Sequence, residues 1–222
     1  MSDTVSALKQ IAFLSKLDDS TLGRIRLSVH QRHFSAGQAI FLEGEPCQAV
    51  YLVQKGLVRT RRMSLEGREQ VLNYRGPGEA LNLVSAVDGG PNSASADAVT
   101  DASVFVIPCR RFRELLRVHP EMTSATLKQL CDEVRLLSDL VESLALHPVR
   151  ARLARFLLQQ TDQQDPDRHW TQQAIATHIG SVREMVGRTM RAFASEGLVR
   201  RERERIVVLD REGLRSEALL DI

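Results

Sequence analysis

The chain has 222 residues, a formal net charge of +2 from 30 Lys and Arg against 28 Asp and Glu, 43% hydrophobic residues and 26% charged residues. It has no apolar run long enough to cross a membrane, and its opening Met-Ser-Asp-Thr-Val is neither basic nor apolar; a membrane span and a secretory signal are therefore not expected, and the chain reads as a cytoplasmic globular protein of one or two domains. Cys47, Cys109 and Cys131 are far apart, form no C-x-x-C and leave an odd count, which predicts reduced thiols and no disulfide framework.

Residues 6–27 predict short helices with Leu8, Ile11, Phe13, Leu14 and Leu17 as their apolar set and Asp18-Asp19-Ser20 as a start signal; they read as a lid. From residue 31 to 108 the texture changes. Short β-rich runs at 50–53, 57–60, 70–73 and 104–107 are separated by Gly37, Gly44, Gly56, Gly67, Gly76, Gly78 and Gly89-Gly90, and many short strands at such spacing predict a barrel or jelly roll.

In residues 123–144 the apolar positions Leu127, Leu130, Val134, Leu137, Val141 and Leu144 alternate steps of three and four, the pattern of a heptad seam. Val134 and Val141 fall at a, with Leu130, Leu137 and Leu144 at d, a combination that favours two parallel strands; the seam predicts a dimerisation helix and a homodimer. Leu136 and Leu140 form a second stripe, expected to pack on their own subunit. A buried helix in a monomer is the alternative, and the flanking sequence decides between them. Pro148 restricts His147 to extended geometry, so a break is expected there, followed by a helix over 149–160 and a polar loop over 161–169 that contains Asp165-Pro166-Asp167.

Thr171 is predicted to cap a helix over 172–178 with Ile175 and Ile179 inward, Gly180 to permit a turn, and a second helix to run over 182–195 with Val186, Met190 and Phe193 on its apolar side. Two short helices joined through a glycine turn make a helix-turn-helix. Residues 198–199 and 206–209, around the charged run 200–205, predict a two-stranded wing. Beyond Pro148 every basic position is Arg and none is Lys, which suits bidentate contacts to phosphates or base edges.

Ala36-Gly37-Gln38 with Ile40-Phe41, Glu43-Gly44-Glu45-Pro46, Tyr51-Leu52-Val53, Gly56-Leu57-Val58, Gly67-Arg68-Glu69, Pro77-Gly78-Glu79 and Asp88-Gly89-Gly90-Pro91 stand in a fixed order. In order and spacing they resemble the cyclic-nucleotide-binding jelly roll of the CRP/FNR family of bacterial regulators, and the later segments extend the likeness to nearly the whole chain. The resemblance implies an α+β fold: a β jelly-roll sensor domain at 1–120, a dimerisation helix and hinge at 121–147, and a winged helix-turn-helix DNA-binding domain at 148–222. It also implies that Ser181-Val182-Arg183-Glu184-Met185-Val186-Gly187-Arg188 opens a recognition helix, since Arg-Glu-x-x-Gly-Arg is the base-reading set of the receptor-protein branch. Arg183, Glu184 and Arg188 would then read bases, an Arg fork donating to guanine O6 and N7 and a carboxylate accepting from cytosine N4. Thr171, Gln172, Gln173, Val182, Arg191, Arg201 and Arg203 are candidates for the DNA backbone, with Glu202 and Glu204 interrupting the wing's basic run. Val182 departs from the hydroxyl residue common in the family and would suit a thymine methyl.

Nucleotide-binding members of the family carry Gly-Glu six residues before the Asp-Gly-Gly-Pro turn, to hold the ribose, and an Arg just after it, to pair the cyclic phosphate. Asn82-Leu83 and Asn92 stand there in this chain. A charge-assisted hydrogen bond contributes roughly 1.5–3 kcal/mol, so losing the Arg alone should weaken a phosphodiester by about tenfold to a hundredfold. Glu79 belongs to the preceding turn and does not replace the missing charge. On the seam helix Leu137-Ser138 supplies half of the hydroxyl pair that meets adenine in nucleotide-binding members. Asn82, Leu83, Asn92, Ser93 and Ser138 therefore describe a degenerate effector pocket, cyclic AMP is not expected to act, and the effector is unassigned.

Residues 1–40 lack the cysteines of an iron–sulfur sensor. His30, His33, Cys47, Met63, Cys109 and His119 offer haem ligands without any being distinguished, and no metal site is expected. The expected function is a homodimeric regulator reading a palindromic TGTGA-like site, its half-sites roughly 34 Å apart, with double-stranded DNA and, by resemblance, RNA polymerase as partners. The alternatives are a constitutively DNA-binding member without ligand, a haem- or redox-dependent gas sensor, and a regulatory subunit of an enzyme. No catalytic constellation stands out, and an enzyme is not expected.

Overall fold

The computed structural model describes residues 8, 9, 11, 14, 15, 17–163, 170–202 and 205–219. The chain divides into two compact units, Met1–Arg62 with Leu72–Leu136 and Met63–Val71 with Leu137–Ile222. The N-terminal elements are α1 (Asp19–Arg26), β1 (His30–Phe34), β2 (Ala39–Phe41), β3 (Ala49–Lys55), β4 (Val58–Met63), β5 (Glu69–Arg75), β6 (Ala80–Leu81), α2 (Leu83–Asp88), β7 (Ser95–Ala98), β8 (Ala102–Pro108), α3 (Cys109–Val118) and α4 (Pro120–Leu146). Their strands form two four-stranded sheets, ordered β1-β8-β3-β6 and β2-β7-β4-β5.

β3 and β8 pair antiparallel, with Tyr51 opposite Val106, Leu52 opposite Phe105 and Val53 opposite Val104. Tyr51, Val53, Val104 and Val106 join Phe34, Phe41 and Val58 in one core, while Val50, Leu52, Phe105 and Ile107 face Leu22, Ile25, Phe112, Leu115 and Met122 in another. Both faces of these strands are buried, so residues 50–53 and 104–107 read as unbroken apolar runs without polar alternation. The other predicted runs, 57–60 and 70–73, fall on β4 and β5, the first beginning one residue early. Gly56 turns β3 into β4 at φ +84°, where a Cβ would lie 2.3 Å from the Asp101 carbonyl oxygen; glycine alone fits there.

Asp18 caps α1 by accepting from the Thr21 amide at 2.9 Å, as the start signal predicts. Leu8, Ile11, Leu14 and Leu17 are buried in the same core as α1, while Phe13 lies outside the described residues. α4 packs on this core through Met122, Ala125, Thr126 and Leu130. Of the second stripe, Leu140 is half-buried and Leu136 is 38% exposed, both more covered by their own chain than the seam positions Val134 and Val141. A helix of 27 residues extends about 40 Å, farther than one small domain reaches, and its inward packing ends near Leu130. Beyond that point Val134 is 63% and Val141 65% exposed, which leaves the seam open along the helix.

The second unit is built from α5 (Val149–Gln163), α6 (Gln172–Ile179), α7 (Arg183–Ser195), the antiparallel pair β9 (Val199–Glu202) and β10 (Arg205–Val208), and α8 (Arg211–Ala218). Its core gathers Leu153, Phe156, Leu157, Ile175, Ile179, Val186, Phe193, Leu198 and Leu214. α5 runs three residues past its predicted end, and Asp165-Pro166-Asp167 lies outside the described residues. α8 has no counterpart in the sequence reading. Asp210 caps it by accepting from the Gly213 amide at 2.9 Å, and Leu214 and Ala218 bury its inner face, a cap followed by an i, i+4 apolar pair that would have revealed it.

Candidate nucleic-acid interface

The Thr171 hydroxyl accepts from the Ala174 amide at 3.1 Å and so starts α6, and Gly180 ends it in the left-handed region at φ +65°. A Cβ on Gly180 would lie 2.3 Å from Leu144 Cδ2, so this turn admits only glycine without rearrangement. Ser181 and Val182 connect to α7, whose first turn begins from the extended backbone of Val182 without a side-chain cap.

On α7 each residue advances about 100°, which separates two faces. Val186, Met190 and Phe193 fall within about 60° of one another and pack into the core. Arg183, Glu184, Arg188 and Arg191 fall within about 140° on the other side, and all four are exposed. The side chains of Arg183, Glu184 and Arg188 make no hydrogen bond or ion pair with any described residue. Gly187 falls within the arc of the four exposed residues yet is buried, and an added Cβ would come within 3.2 Å of Gln172 Oε1 on α6; the small residue lets the two helices cross closely.

α6 presents Gln173 at the surface and Gln172 half-buried beside it, and Val182 is exposed just ahead of α7. In the wing, Val199 pairs with Val208 and Arg201 with Ile206 along the backbone. Arg200 bonds Glu202 of its own strand. The Arg201 side chain and the whole of Arg203 lie outside the described residues.

Sequence reading missed the clamp behind this surface. Arg150 of α5 donates through Nη2 to Glu217 Oε1 of α8 at 2.7 Å, also bonds Glu196 at the end of α7, and sets its guanidinium 4.8 Å from the centre of the Phe193 ring. Its hydrogen bond to Glu217 holds that carboxyl below the usual carboxylate range. The position could have been flagged by an Arg at the start of an otherwise inward-packing helix, but not its partners, which stand 46 and 67 residues away.

In the N-terminal unit the cassette positions converge. Asn82 holds a left-handed backbone at φ 67°, a conformation Asn tolerates better than most residues that carry a Cβ, so it keeps the backbone suited to the family's Gly while adding a side chain. That side chain donates to Asn92 Oδ1 at 2.9 Å and to the Ala49 carbonyl at 3.2 Å. Asn92 is 4% exposed and donates to the Leu42 carbonyl at 2.9 Å. Leu83 points into the core, Ser93 is exposed, and Ser138 is exposed on α4. At these positions the chain presents two amides, an alkyl group and two hydroxyls, with no carboxylate and no guanidinium.

Residues 31–119 match the family profile of the cyclic nucleotide-binding domain, and residues 151–217 match that of the Crp-like helix-turn-helix domain. The chain is 34% identical over 178 residues to the cyclic AMP receptor protein of Thermus thermophilus, covering 79% of this chain and 82% of that one. It is 26% identical to the CRP-like cAMP-activated global transcriptional regulator of Mycobacterium tuberculosis over 95% of this chain and 98% of that one. Among solved structures, a transcriptional regulator of the crp/fnr family from Eubacterium rectale superposes with a TM-score of 0.80 at 24% identity, over 93% of this chain and 97% of that one. The c-di-GMP-responsive global regulator CLP of Xanthomonas campestris superposes with a TM-score of 0.76 at 22% identity, over 86% and 99%. The protein is a DNA-binding transcription regulator and not an enzyme. It belongs to the CRP/FNR family. Among the described residues no helix is long and apolar enough to cross a membrane.

Proposed function

We propose that the chain acts in the cytoplasm as a homodimer that reads a palindromic TGTGA-like site and answers to an effector other than cyclic AMP. Its division of labour is a sensor domain over 1–120, a dimerisation helix and hinge over 121–147 and a DNA-binding domain over 148–222. The observation that carries the reading is the outer face of α7, where the Arg183, Glu184 and Arg188 side chains stand exposed with no partner among the described residues while Arg150 is locked in ion pairs. A surface kept for charge without internal partners suits base edges, with Gln172, Gln173, Arg191 and the wing arginines available to phosphates.

The open seam of α4 supports dimerisation, because Leu127, Val134, Leu137, Val141 and Leu144 form one exposed apolar line. Two subunits joined there would present two recognition helices about one DNA turn apart. RNA polymerase is the partner expected of a family activator. Against cyclic AMP stand Asn82, Leu83 and Asn92; two relatives bear names that tie them to cyclic AMP, and CLP is described as responsive to c-di-GMP, so the architecture serves more than one effector. Site selection from random duplexes, followed by titration of the selected site with wild type and Arg188→Ala, tests the reading. A palindrome whose specificity relaxes at one base pair per half-site in the variant supports it, and a selected pool without symmetry removes it.

A further inference from the structure

Cys47 and Cys109 are separated by 62 residues in sequence, yet their sulfurs lie 2.8 Å apart. Cys47 stands in the connection between β2 and β3 and is half-buried; Cys109 opens α3 and is buried, with its amide donating to the Gln48 carbonyl at 2.9 Å. The backbone thus fixes both cysteines at one place. Cys47 Sγ also receives the Asn82 side-chain amide at 3.3 Å, so the sulfur pair touches the Asn82–Asn92 bond directly.

We infer that Cys47 and Cys109 are an oxidisable dithiol, a modification site that closes to an intramolecular disulfide by exchange with a low-molecular-weight disulfide and so alters the Asn82–Asn92 cassette. In the first step the Cys47 thiolate attacks one sulfur of the small disulfide, forming a mixed disulfide and expelling one small thiolate, which takes up a proton. In the second, Cys109 loses its proton, attacks the Cys47 sulfur and expels the second small thiol. Two protein thiols become one disulfide, one small disulfide becomes two thiols, and no other oxidant is needed. The sulfurs must approach from 2.8 Å to the about 2.05 Å of a disulfide, and this moves one of the groups that hold the Asn82 amide.

The cassette passes such a change on. Ala80 of β6, two residues before Asn82, accepts from Gln129 of α4 at 2.7 Å. Arg75 bonds Glu79 at 3.0 Å and reaches Glu133 of α4 at 3.5 Å. Both links arrive on the stretch of α4 where packing on the core gives way to the open seam. Burial first, and the neighbouring Cys109 second, push the Cys47 thiol up to about 12, so the exchange should be slow at neutral pH and accelerate about tenfold per pH unit. Cys131 is exposed and serves as an internal reference.

The extension to the cassette rests on the proposed regulatory reading, whereas the thiol chemistry is measured without DNA. The test treats the reduced full chain with oxidised glutathione and follows it by intact mass, free-thiol titration and peptide mapping, with Cys131→Ser, Cys47→Ser and Cys109→Ser variants beside it. The expected result is a Cys47–Cys109 crosslink with loss of two hydrogens, retained in Cys131→Ser and absent from the other two variants. A rise of roughly 5–10 °C in the first unfolding midpoint should accompany it. Amide exchange over residues 80–92 should change on oxidation in Cys131→Ser. Glutathione adducts confined to Cys131, with Cys47 and Cys109 remaining as thiols, would overturn the site, and a formed crosslink that leaves exchange over 80–92 unchanged would overturn its link to the cassette.

Discussion

The side-chain amide of Asn82 donates to that of Asn92 across 2.9 Å, so the residue that stands where the resemblance puts the cassette's Gly and the one that stands where it puts the phosphate-pairing Arg satisfy each other. Asn92, almost wholly buried, also donates to Leu42. A cyclic phosphate entering here would have to displace neutral amides that are already bonded, and neither position offers it a guanidinium. Calorimetry with cyclic AMP should give no heat at micromolar ligand. Asn92→Arg should raise affinity only slightly, and Leu83→Glu alone should cost about 3–5 kcal/mol of stability in thermal unfolding, because that carboxylate would enter the core without a partner.

The proposed reading assigns the exposed residues of α7 different tasks. Arg188→Ala should lose about 1–3 kcal/mol on the selected site and relax preference at one base pair, while Arg191→Ala should weaken all sequences alike and reduce the slope of log K against log salt by about 1. Fluorescence anisotropy on matched and scrambled duplexes at several salt concentrations separates the two.

Arg150 ties α5 to α8 and to the end of α7. Arg150→Ala should destabilise the C-terminal unit by about 1–3 kcal/mol, since it leaves two carboxylates without their cation and removes the contact with Phe193. Glu217 titrates below its ordinary 4.5 when folded, so its share of stability is present above that pH and is lost as pH falls further. Denaturant unfolding between pH 3 and 7 should show this acid loss in wild type and a flatter profile in Arg150→Ala.

In the proposed dimer the exposed seam should make the subunit count sensitive to single charges. Val134→Asp or Val141→Asp should shift sedimentation from dimer toward monomer and weaken binding to a palindrome more than to a half-site, whereas Leu127→Ala, nearer the end that packs on the core, should do less.

Much of this architecture was legible because local signals agreed. Asp18 and Thr171 cap helices where their spacing predicts, the heptad positions lie on one helix, and Val186, Met190 and Phe193 face inward as their period requires. What escaped was non-local. The Cys47–Cys109 pair, the Arg150 clamp and the bond between Asn82 and Asn92 join residues whose proximity depends on the assembled sheets and helices, and no period in the sequence carries that information. α8 escaped for a simpler reason: eight residues hold only one apolar pair to mark its inner face.

Reading of a palindrome by a dimer without cyclic AMP is tested most directly by anisotropy of a labelled TGTGA-type palindrome titrated with the purified full chain, with and without the nucleotide. The expected curves coincide, show two subunits per duplex and lose at least tenfold in affinity in Arg188→Ala, about 1.4 kcal/mol. Binding that appears only with cyclic AMP, or that is unchanged in Arg188→Ala, would contradict it.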